Sequence, residues 1–263
     1  MVSISKMGLS DLVETLRRLP LALYFAWGDT RARYRRSILG PLWLVLGTAV
    51  GVVGLGFVWS ELLHVDKATF IPSLSIGLIV WQLIAGCVME ASSIFVQNAK
   101  LIRNLKTPLL IFPLQLLIRQ TINFSHNLLV VIGVFFLFPP PLVSNQILVV
   151  PGIILVLGNL FWINALVGLL GARYRDIGPL IAAFMPLMFF ITPVIYRPQQ
   201  LAMAGYIAWV NPFTYLVTLI RDPLEGVAPP LFVYGISAGS LLAGFSATLW
   251  ILGRKYGRIA FWV

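Results

Sequence analysis

Four arginines stand close together in the stretch RARYRRSILGPLW, residues 31–43, directly before a long apolar run. They are Arg31, Arg33, Arg35 and Arg36. Guanidinium groups hold phosphate oxygens through paired hydrogen bonds, and the unpaired N–H groups of a following helix N-terminus also favour anions. The pattern therefore suggests a site for a phosphorylated lipid. Sequence alone favours a simpler interpretation, anchoring to anionic head groups, to which each charge contributes about 1 kcal/mol.

A second set of polar side chains interrupts an apolar segment and falls on one face of a helix. The set is Gln115, Arg119, Asn123, His126 and Asn127. A polar stripe is costly against lipid, so it must face protein or a lumen. We favour a hydrogen-bonded seam between helices, with Glu90 as the partner of Arg119, over the lining of a conduit. A proton relay through His126 is a minor alternative.

Sequence motifs for catalysis and nucleotide binding are nearly absent. The chain has no G-x-x-x-x-G-K-[ST] pattern, so we expect no ATP site. The stretch GISAG at 235–239 matches the nucleophile-elbow pattern, but it lies in an apolar run, and His64 and His126 belong to other segments. Cys87 is the single cysteine, which excludes a disulfide framework and a thiolate metal site. We predict no catalytic residue, no bound metal and no cofactor in this chain.

The composition is that of an integral membrane protein. Hydrophobic residues make up 59% of the chain, charged residues 11%, and the mean hydropathy is +0.92. A soluble domain could not cover this much apolar surface with so few charges. The net charge of +10 does not indicate a nucleic-acid partner, because the basic residues cluster at the ends of apolar runs.

Six apolar runs predict six membrane-spanning helices. They cover residues 40–63, 71–96, 118–138, 147–171, 179–196 and 231–252. The fifth run is short and is interrupted by Pro186 and Pro193, so we expect a broken or tilted helix. With the N-terminus in the cytoplasm, all of the 19 Lys and Arg residues fall in cytoplasmic segments except Lys67, Arg119, Arg197 and Arg221. This bias predicts that both termini lie in the cytoplasm.

Four further segments complete the predicted architecture, which is an all-α membrane domain over residues 40–252. Residues 1–39 form a cytoplasmic segment with an amphipathic helix and the basic anchor, because apolar residues recur there at helical spacing. Residues 97–107 predict a short cytoplasmic helix that a soluble motor could push, although a solvated loop is the simpler interpretation. Residues 197–230 predict two short helices that re-enter the outer face of the membrane. Residues 253–263 remain as a cytoplasmic tail.

Six ordered motifs cover essentially the whole chain and carry a family resemblance. They are RYRRSILGPLW, NAKLIRNLKTP, ARYRDI, TPVIY, NPFTYLVTLIRDPLEG and KYGRIAFWV. In this order they resemble the membrane subunit of polysaccharide-exporting ABC transporters, the Wzm-type permeases that export O-antigen, capsule or teichoic acid. The second motif departs from many relatives at Thr107 and Leu109, which bears on the fine geometry of the ATPase contact.

The resemblance implies a partner set and a location. It implies a homodimer with two copies of a separate ATPase, which would bind ATP and Mg²⁺, in the bacterial inner membrane. The cargo would be an undecaprenyl-diphosphate-linked glycan, with lipopolysaccharide O-antigen as the leading candidate. The resemblance also makes residues of the N-terminal helix and of the 97–107 helix candidates for ATPase coupling: Leu12, Leu16, Tyr24, Phe25, Leu101, Ile102 and Arg103.

The same resemblance makes aromatic residues along the first and fifth spans candidates for stacking on sugar rings. They are Trp43, Phe57, Trp59, Phe184, Phe189, Phe190 and Tyr196. Packing or anchoring at the membrane interface would explain the same residues.

Other function classes fit the residues less well. A membrane-embedded transferase acting on lipid-linked sugars would need paired acids near the interface, and only Asp29 and Asp176 qualify on the cytoplasmic side. An ion-coupled transporter would carry charges at mid-membrane and repeated broken helices, which are largely missing. An ABC permease for another substrate remains an alternative.

Overall fold

The computed structural model describes residues 4–62, 64–105, 107–141, 143–197 and 205–263, and within these ranges the regular structure is helical. A short 3-10 helix, Ser144–Leu148, leads into α8. In chain order the α-helices are α1 (Ile4–Arg17), α2 (Leu19–Tyr34), α3 (Leu42–Leu62), α4 (Lys67–Ala91), α5 (Ile94–Gln97), α6 (Ala99–Asn104), α7 (Ile111–Leu137), α8 (Val149–Arg173), α9 (Ile177–Ile191), α10 (Gly205–Val210), α11 (Pro212–Leu224) and α12 (Leu231–Trp262).

Five of the described helices are long and apolar enough to cross a membrane: α3, α4, α7, α8 and α12. Two of them extend well beyond their apolar runs. The third crossing, α7, begins at Ile111 instead of residue 118, and α12 continues through the predicted tail at 253–263. Leu63 of the first predicted span, Lys106 of the predicted coupling helix and residues 198–204 of the predicted hairpin lie outside the described residues.

The fifth predicted span is shorter than the others in the structure. Helix α9 has 15 residues, or about 22 Å, against the roughly 30 Å of a bilayer core. Pro186 lies inside the helix, which ends just before Thr192 and Pro193. Proline disfavours helical backbone in the residue that precedes it, and Thr192 is accordingly extended (ψ 134°). The count of six crossings stays a prediction.

Helix α4 forms the centre of the bundle. It is largely buried and packs against α3, α7 and α8. The loop after α4 is also closely packed. Gly171 of α8 lies so near the Ser92 carbonyl oxygen in this loop that a Cβ atom at residue 171 would overlap the oxygen. A side chain at this position would therefore push the two backbones apart.

The N-terminal segment forms two helices, where the sequence predicts one amphipathic helix followed by the basic anchor. Helix α1 packs on α12, and α2 packs on α7. Pro20 lies in the first turn of α2, where its missing N–H leaves no hydrogen bond unmade. Helix α2 continues past Gly28 to Tyr34 and so includes Arg31 and Arg33 in its last turn.

The connection between α9 and α11 is held by a buried arginine. Arg221 of α11 is 2% exposed, and its Nη1 donates to the Pro193 carbonyl oxygen at 2.5 Å. At the start of α11, Asn211 accepts a hydrogen bond from the Phe213 N–H at 3.0 Å and donates to Thr192 Oγ1 at 2.7 Å. Arg221 and Asn211 thus supply hydrogen bonds to the Pro193 carbonyl and the Thr192 hydroxyl, just after the end of α9. The re-entrant position of α10 and α11 stays a prediction.

Candidate functional site

A network of charged residues ties α2, α4 and α7 together. Arg119 of α7 is 7% exposed, and its Nη1 lies 2.9 Å from Asp29 Oδ2 on α2. Its Nη2 donates to Glu90 on α4. Arg33 Nη2 lies 3.5 Å from the other oxygen of Glu90. The expected pairing of Arg119 with Glu90 is confirmed, and Asp29 is a second partner that the sequence pattern did not reveal.

Neutral side chains extend this network on both sides. Gln115 donates to Asp29 at 2.7 Å, and Gln120 donates to Glu90 at 3.0 Å. One side-chain nitrogen of each amide thus binds a carboxylate. The two carboxylates share their negative charge with Arg119 and with these amides, which is how charged groups are accommodated inside a protein.

A second polar cluster lies further along the same face of α7. Asn127 donates to Gln82 of α4 at 2.8 Å, and the Thr48 hydroxyl of α3 lies 3.1 Å from the side-chain oxygens of both. Asn123 donates to Gln120 at 3.1 Å. The expected seam between helices is therefore present.

His126 lies outside the seam. Its Nδ1 is 2.7 Å from the Ile122 carbonyl oxygen of its own helix. This hydrogen bond joins His126 to its own backbone and not to the charged groups of the network. A proton relay through His126 stays a prediction.

A partly open cavity of ≈ 370 Å³ lies beside the seam, between α3, α4 and α7. Its lining combines the exposed ring of Trp43 and other apolar side chains with amide, hydroxyl and charged groups. The polar lining consists of Arg33, Thr48, Gln82, Glu90, Gln120, Asn123 and Asn127. An aromatic ring together with amide and charged groups suits a polar ligand with an apolar ring face, such as a sugar.

The arginine cluster does not stand directly before a helix N-terminus. Arg31 and Arg33 end α2, Arg35 and Arg36 follow it, and α3 begins only at Leu42. Cations are favourable at a helix C-terminus. The turn between the two helices uses Gly40 with φ +54°, whose N–H donates to Ser37 Oγ at 3.0 Å. All four arginines are exposed, and Arg33 also lies within ion-pair distance of Glu90.

The candidate sugar-stacking aromatics occupy two kinds of position. Trp43, Phe57, Phe184 and Phe190 are exposed in the single chain. Phe189 packs on Trp81 with ring centres 5.8 Å apart, Trp59 packs partly into the core, and the Tyr196 hydroxyl donates to the Ile191 carbonyl at 2.8 Å. The first four can contact a ligand or a neighbouring molecule, whereas the last three stabilise the fold.

The predicted coupling segments meet at the end of the bundle that carries α1. The Asp11 carboxylate accepts hydrogen bonds from the N–H groups of Leu109 (2.7 Å) and Leu110 (2.9 Å), just before α7. Burial raises the pKa of the Asp11 carboxyl, although these hydrogen bonds oppose the shift. Asp11 thereby fixes α1 to the loop that follows the predicted coupling helix.

A groove of ≈ 700 Å³ opens beside Asp11, between α1, the loop after α6 and the end of α12. Its lining includes Met7, Ile102, Arg103, Leu105 and Tyr256. Among the candidate coupling residues, Ile102 and Arg103 line the groove, and Arg103 donates to the Val263 carbonyl oxygen.

The other candidate coupling residues lie on neighbouring surfaces. Leu16 and Tyr24 are exposed, with 56% and 73% of their surface accessible. Leu12, Phe25 and Leu101 are half-buried. The exposed apolar groups are available to a partner protein, whereas the half-buried ones also hold the helices in place.

One feature of many active sites, a cluster of metal ligands, is absent from the described ranges. Within them no group of three or more His, Cys, Asp or Glu side chains is placed to hold a metal ion. Cys87 is buried and free. Asp29, one of the two acids considered for a transferase, is engaged by Arg119 and Gln115.

Comparison with known proteins agrees with this arrangement. A family model described as ABC-2 type transporter matches residues 21–224. Two O-antigen export system permease proteins RfbA of Klebsiella pneumoniae are 22% identical to the chain, one over 198 residues (74% of this chain, 76% of that protein) and one over 211 residues (79% and 78%). The RfbA permease of Myxococcus xanthus is 24% identical over 198 residues (72% and 74%).

The family match covers most of the chain, including α2 to α9 and the charged network. Proteins of this family are the membrane subunits of transporters and work with an ATPase subunit. The chain is a multi-pass membrane protein that belongs to the ABC-2 type transporter family and resembles the Wzm-type permeases within it.

Proposed function

We propose that this chain is the permease of an ATP-driven exporter that moves undecaprenyl-diphosphate-linked polysaccharide, with O-antigen as the glycan, across the bacterial inner membrane. The similarity to O-antigen export permeases over about three quarters of the chain carries the proposal. ATP hydrolysis is supplied by two copies of a separate subunit, and this chain adds no catalytic group.

Two copies of the chain form the passage in this proposal, with α9 as the fifth of six crossings and both termini in the cytoplasm. Only 17% of the apolar stretch of α3 is buried within the single chain. Trp43 and Phe57 of α3 and Phe184 and Phe190 of α9 are exposed. A second copy would enclose such surfaces and set their rings around a shared channel, with α10 and α11 as its outer gate.

The substrate enters at the end of the bundle that carries the arginines. Arg31, Arg35 and Arg36 are exposed there and are available to diphosphate oxygens. The cavity beside Trp43 lies next to Arg33 and offers amide groups to the first sugars. The ATPase docks on α1 and α6, where Asp11 links α1 to the loop before α7.

Reconstitution tests the proposal directly. Liposomes that contain this chain, its ATPase subunit and a lipid-linked glycan in the outer leaflet are mixed with ATP, with the ATPase facing outward. We expect glycan to become protected from an added glycosidase only when both subunits and ATP are present. Modification of the glycan by this chain alone would favour the transferase. Labelling of the two termini on opposite faces would contradict the six-crossing topology.

A further inference from the structure

A basic groove lies between α8 and α12, away from the charged network and the arginine cluster. Its volume is ≈ 400 Å³. The α8 side supplies Arg173 and Tyr174 at its end, and the α12 side supplies Lys255, Arg258 and Trp262. The lining contains three cations and no acidic residue.

The groove is amphipathic along its length. Ile251, Lys255, Arg258 and Trp262 follow one another at helical spacing, so they share one face of α12. Leu166, Leu169 and Leu170 precede Arg173 on the facing side of α8. The apolar side chains lie toward the middle of both crossings, whereas the basic and aromatic ones lie at their ends. This order matches a lipid, with its acyl chains in the apolar part and its head group among the cations.

The cations of the groove have no acidic partner among the residues that the structure describes. Within the described ranges no carboxylate lies within 4.0 Å of Arg173, Lys255 or Arg258. The guanidinium of Arg173 rests between two rings, 5.6 Å from the centre of Trp262 and 5.7 Å from that of Tyr174. These rings hold Arg173 without consuming its charge, and Trp and Tyr are the residues that prefer the head-group region.

We propose that this groove binds the phosphate head group of an anionic phospholipid in the leaflet that faces α1. Basic pockets between membrane helices on the cytoplasmic side are known to bind such lipids. The groove is formed by the surfaces of α8 and α12 that the chain itself leaves open, so a bound lipid would brace the end of α12 against which α1 packs. The site is independent of the transported substrate.

Binding of short-chain lipids to the purified complex with its ATPase tests the proposal. Dihexanoyl phosphatidylglycerol and dihexanoyl phosphatidylcholine are titrated against wild type, against Lys255→Gln/Arg258→Gln and against Arg175→Gln/Arg254→Gln. The second pair removes the same charge from exposed residues near the same helix ends that do not line the groove. We expect wild type to prefer phosphatidylglycerol, and the groove variant to lose about 30-fold in affinity, as two head-group charges predict. The control should change less than about threefold.

Two further measurements identify the class of molecule that supplies the phosphate and distinguish a loss of binding from a loss of folding. Farnesyl diphosphate, titrated in parallel, represents the prenyl carrier. If it bound the groove and prevented phosphatidylglycerol from binding, the phospholipid assignment would be overturned. Lys255→Arg/Arg258→Lys keeps the charge and should keep wild-type affinity, which distinguishes lost binding from misfolding. Equal affinity for both phospholipids, or equal losses in the groove and control variants, would also overturn the proposal.

Discussion

Arg119 Nη1 of α7 lies 2.9 Å from Asp29 Oδ2 of α2, although the two residues are 90 positions apart. The pair connects a helix of the N-terminal segment to a membrane-crossing helix. The arginine is buried and each of its carboxylate partners is partly exposed. The pair therefore fixes the position of α2 on the bundle and does not offer a free charge for transport.

Replacing this arginine should destabilise the protein more than breaking a surface ion pair. We expect Arg119→Met to lower the free energy of unfolding by about 2 kcal/mol, less than for a fully buried pair because Asp29 and Glu90 can be rehydrated. Arg18→Met is the matched control, since Arg18 and Glu14 form an exposed pair at 2.6 Å, and should cost less than about 0.5 kcal/mol. Equilibrium unfolding in mixed micelles measures both. Similar losses in the two variants would contradict the structural role of Arg119.

Asp11 should contribute more to the stability of the protein at acidic pH than at neutral pH, which is unusual for a carboxyl group. Burial raises the pKa of its carboxyl above the ordinary 3.8, so the folded protein holds this proton more tightly than the unfolded chain does. The Asp11 contribution to the free energy of unfolding therefore increases as pH falls from neutral through the raised pKa, and it is lost as pH rises through it. Asn cannot titrate, so wild type should gain stability relative to Asp11→Asn on acidification. Unfolding of both proteins at a series of pH values checks this, and a constant difference would refute it.

Ile102 should be needed for ATPase binding. It lines the groove beside α1, and a carboxylate there would meet an apolar part of the proposed docking surface. We expect Ile102→Glu to reduce co-purification of the ATPase at least tenfold while the permease still folds. Val227→Glu changes an exposed residue in the loop before α12 and should leave co-purification unchanged. Retained ATPase binding by Ile102→Glu would place the docking surface elsewhere.

Trp43 should matter for substrate and not for stability. Its ring is 60% exposed and lines the polar cavity, so its loss removes a stacking face without opening the core. Stacking on one ring contributes about 1 kcal/mol, which predicts a roughly fivefold loss of transport for Trp43→Ala. Trp250→Ala removes a tryptophan of comparable exposure (51%) from α12, where its ring contacts Arg254, and serves as the control. Unchanged transport by Trp43→Ala in the reconstituted system would remove Trp43 from the substrate path.

Two glycines in helices should respond in opposite ways to alanine. Gly171 has no room for a Cβ because of the Ser92 carbonyl, whereas Gly133 of α7 faces open space. We expect Gly171→Ala to lower the free energy of unfolding by about 2 kcal/mol and Gly133→Ala to raise it by up to about 1 kcal/mol. Thermal unfolding of the two variants tests the close contact between α8 and the loop after α4.

The membrane class, the main helices and the polar seam could be predicted from the sequence because each leaves a local pattern. Apolar runs indicate crossings, and the spacing of Gln115, Arg119 and Asn127 indicates one helix face. The helix ends were less predictable. Helix α7 begins at Ile111, seven residues before the predicted start at 118. This first part of the helix packs against α2, so its polar groups need not lie in lipid.

Contacts between residues that are far apart in the sequence could not be predicted in the same way. Asp11 binds backbone N–H groups 98 and 99 residues away, and neither backbone group has a sequence signature. Asp29 fits the pattern of a candidate catalytic acid, because the sequence around a single carboxylate does not indicate which residue pairs with it. The apolar run after the arginine cluster predicts a helix that begins directly behind it, whereas the preceding helix, α2, continues into the cluster.

Arg221 sets a limit on how α11 can move relative to the end of α9. Its guanidinium is enclosed and donates to the carbonyl oxygen of Pro193, so sliding the two segments apart would break a hydrogen bond of a buried charged group. That penalty makes their separation unfavourable. A rearrangement of this part of the chain should therefore move α11 and the end of α9 together.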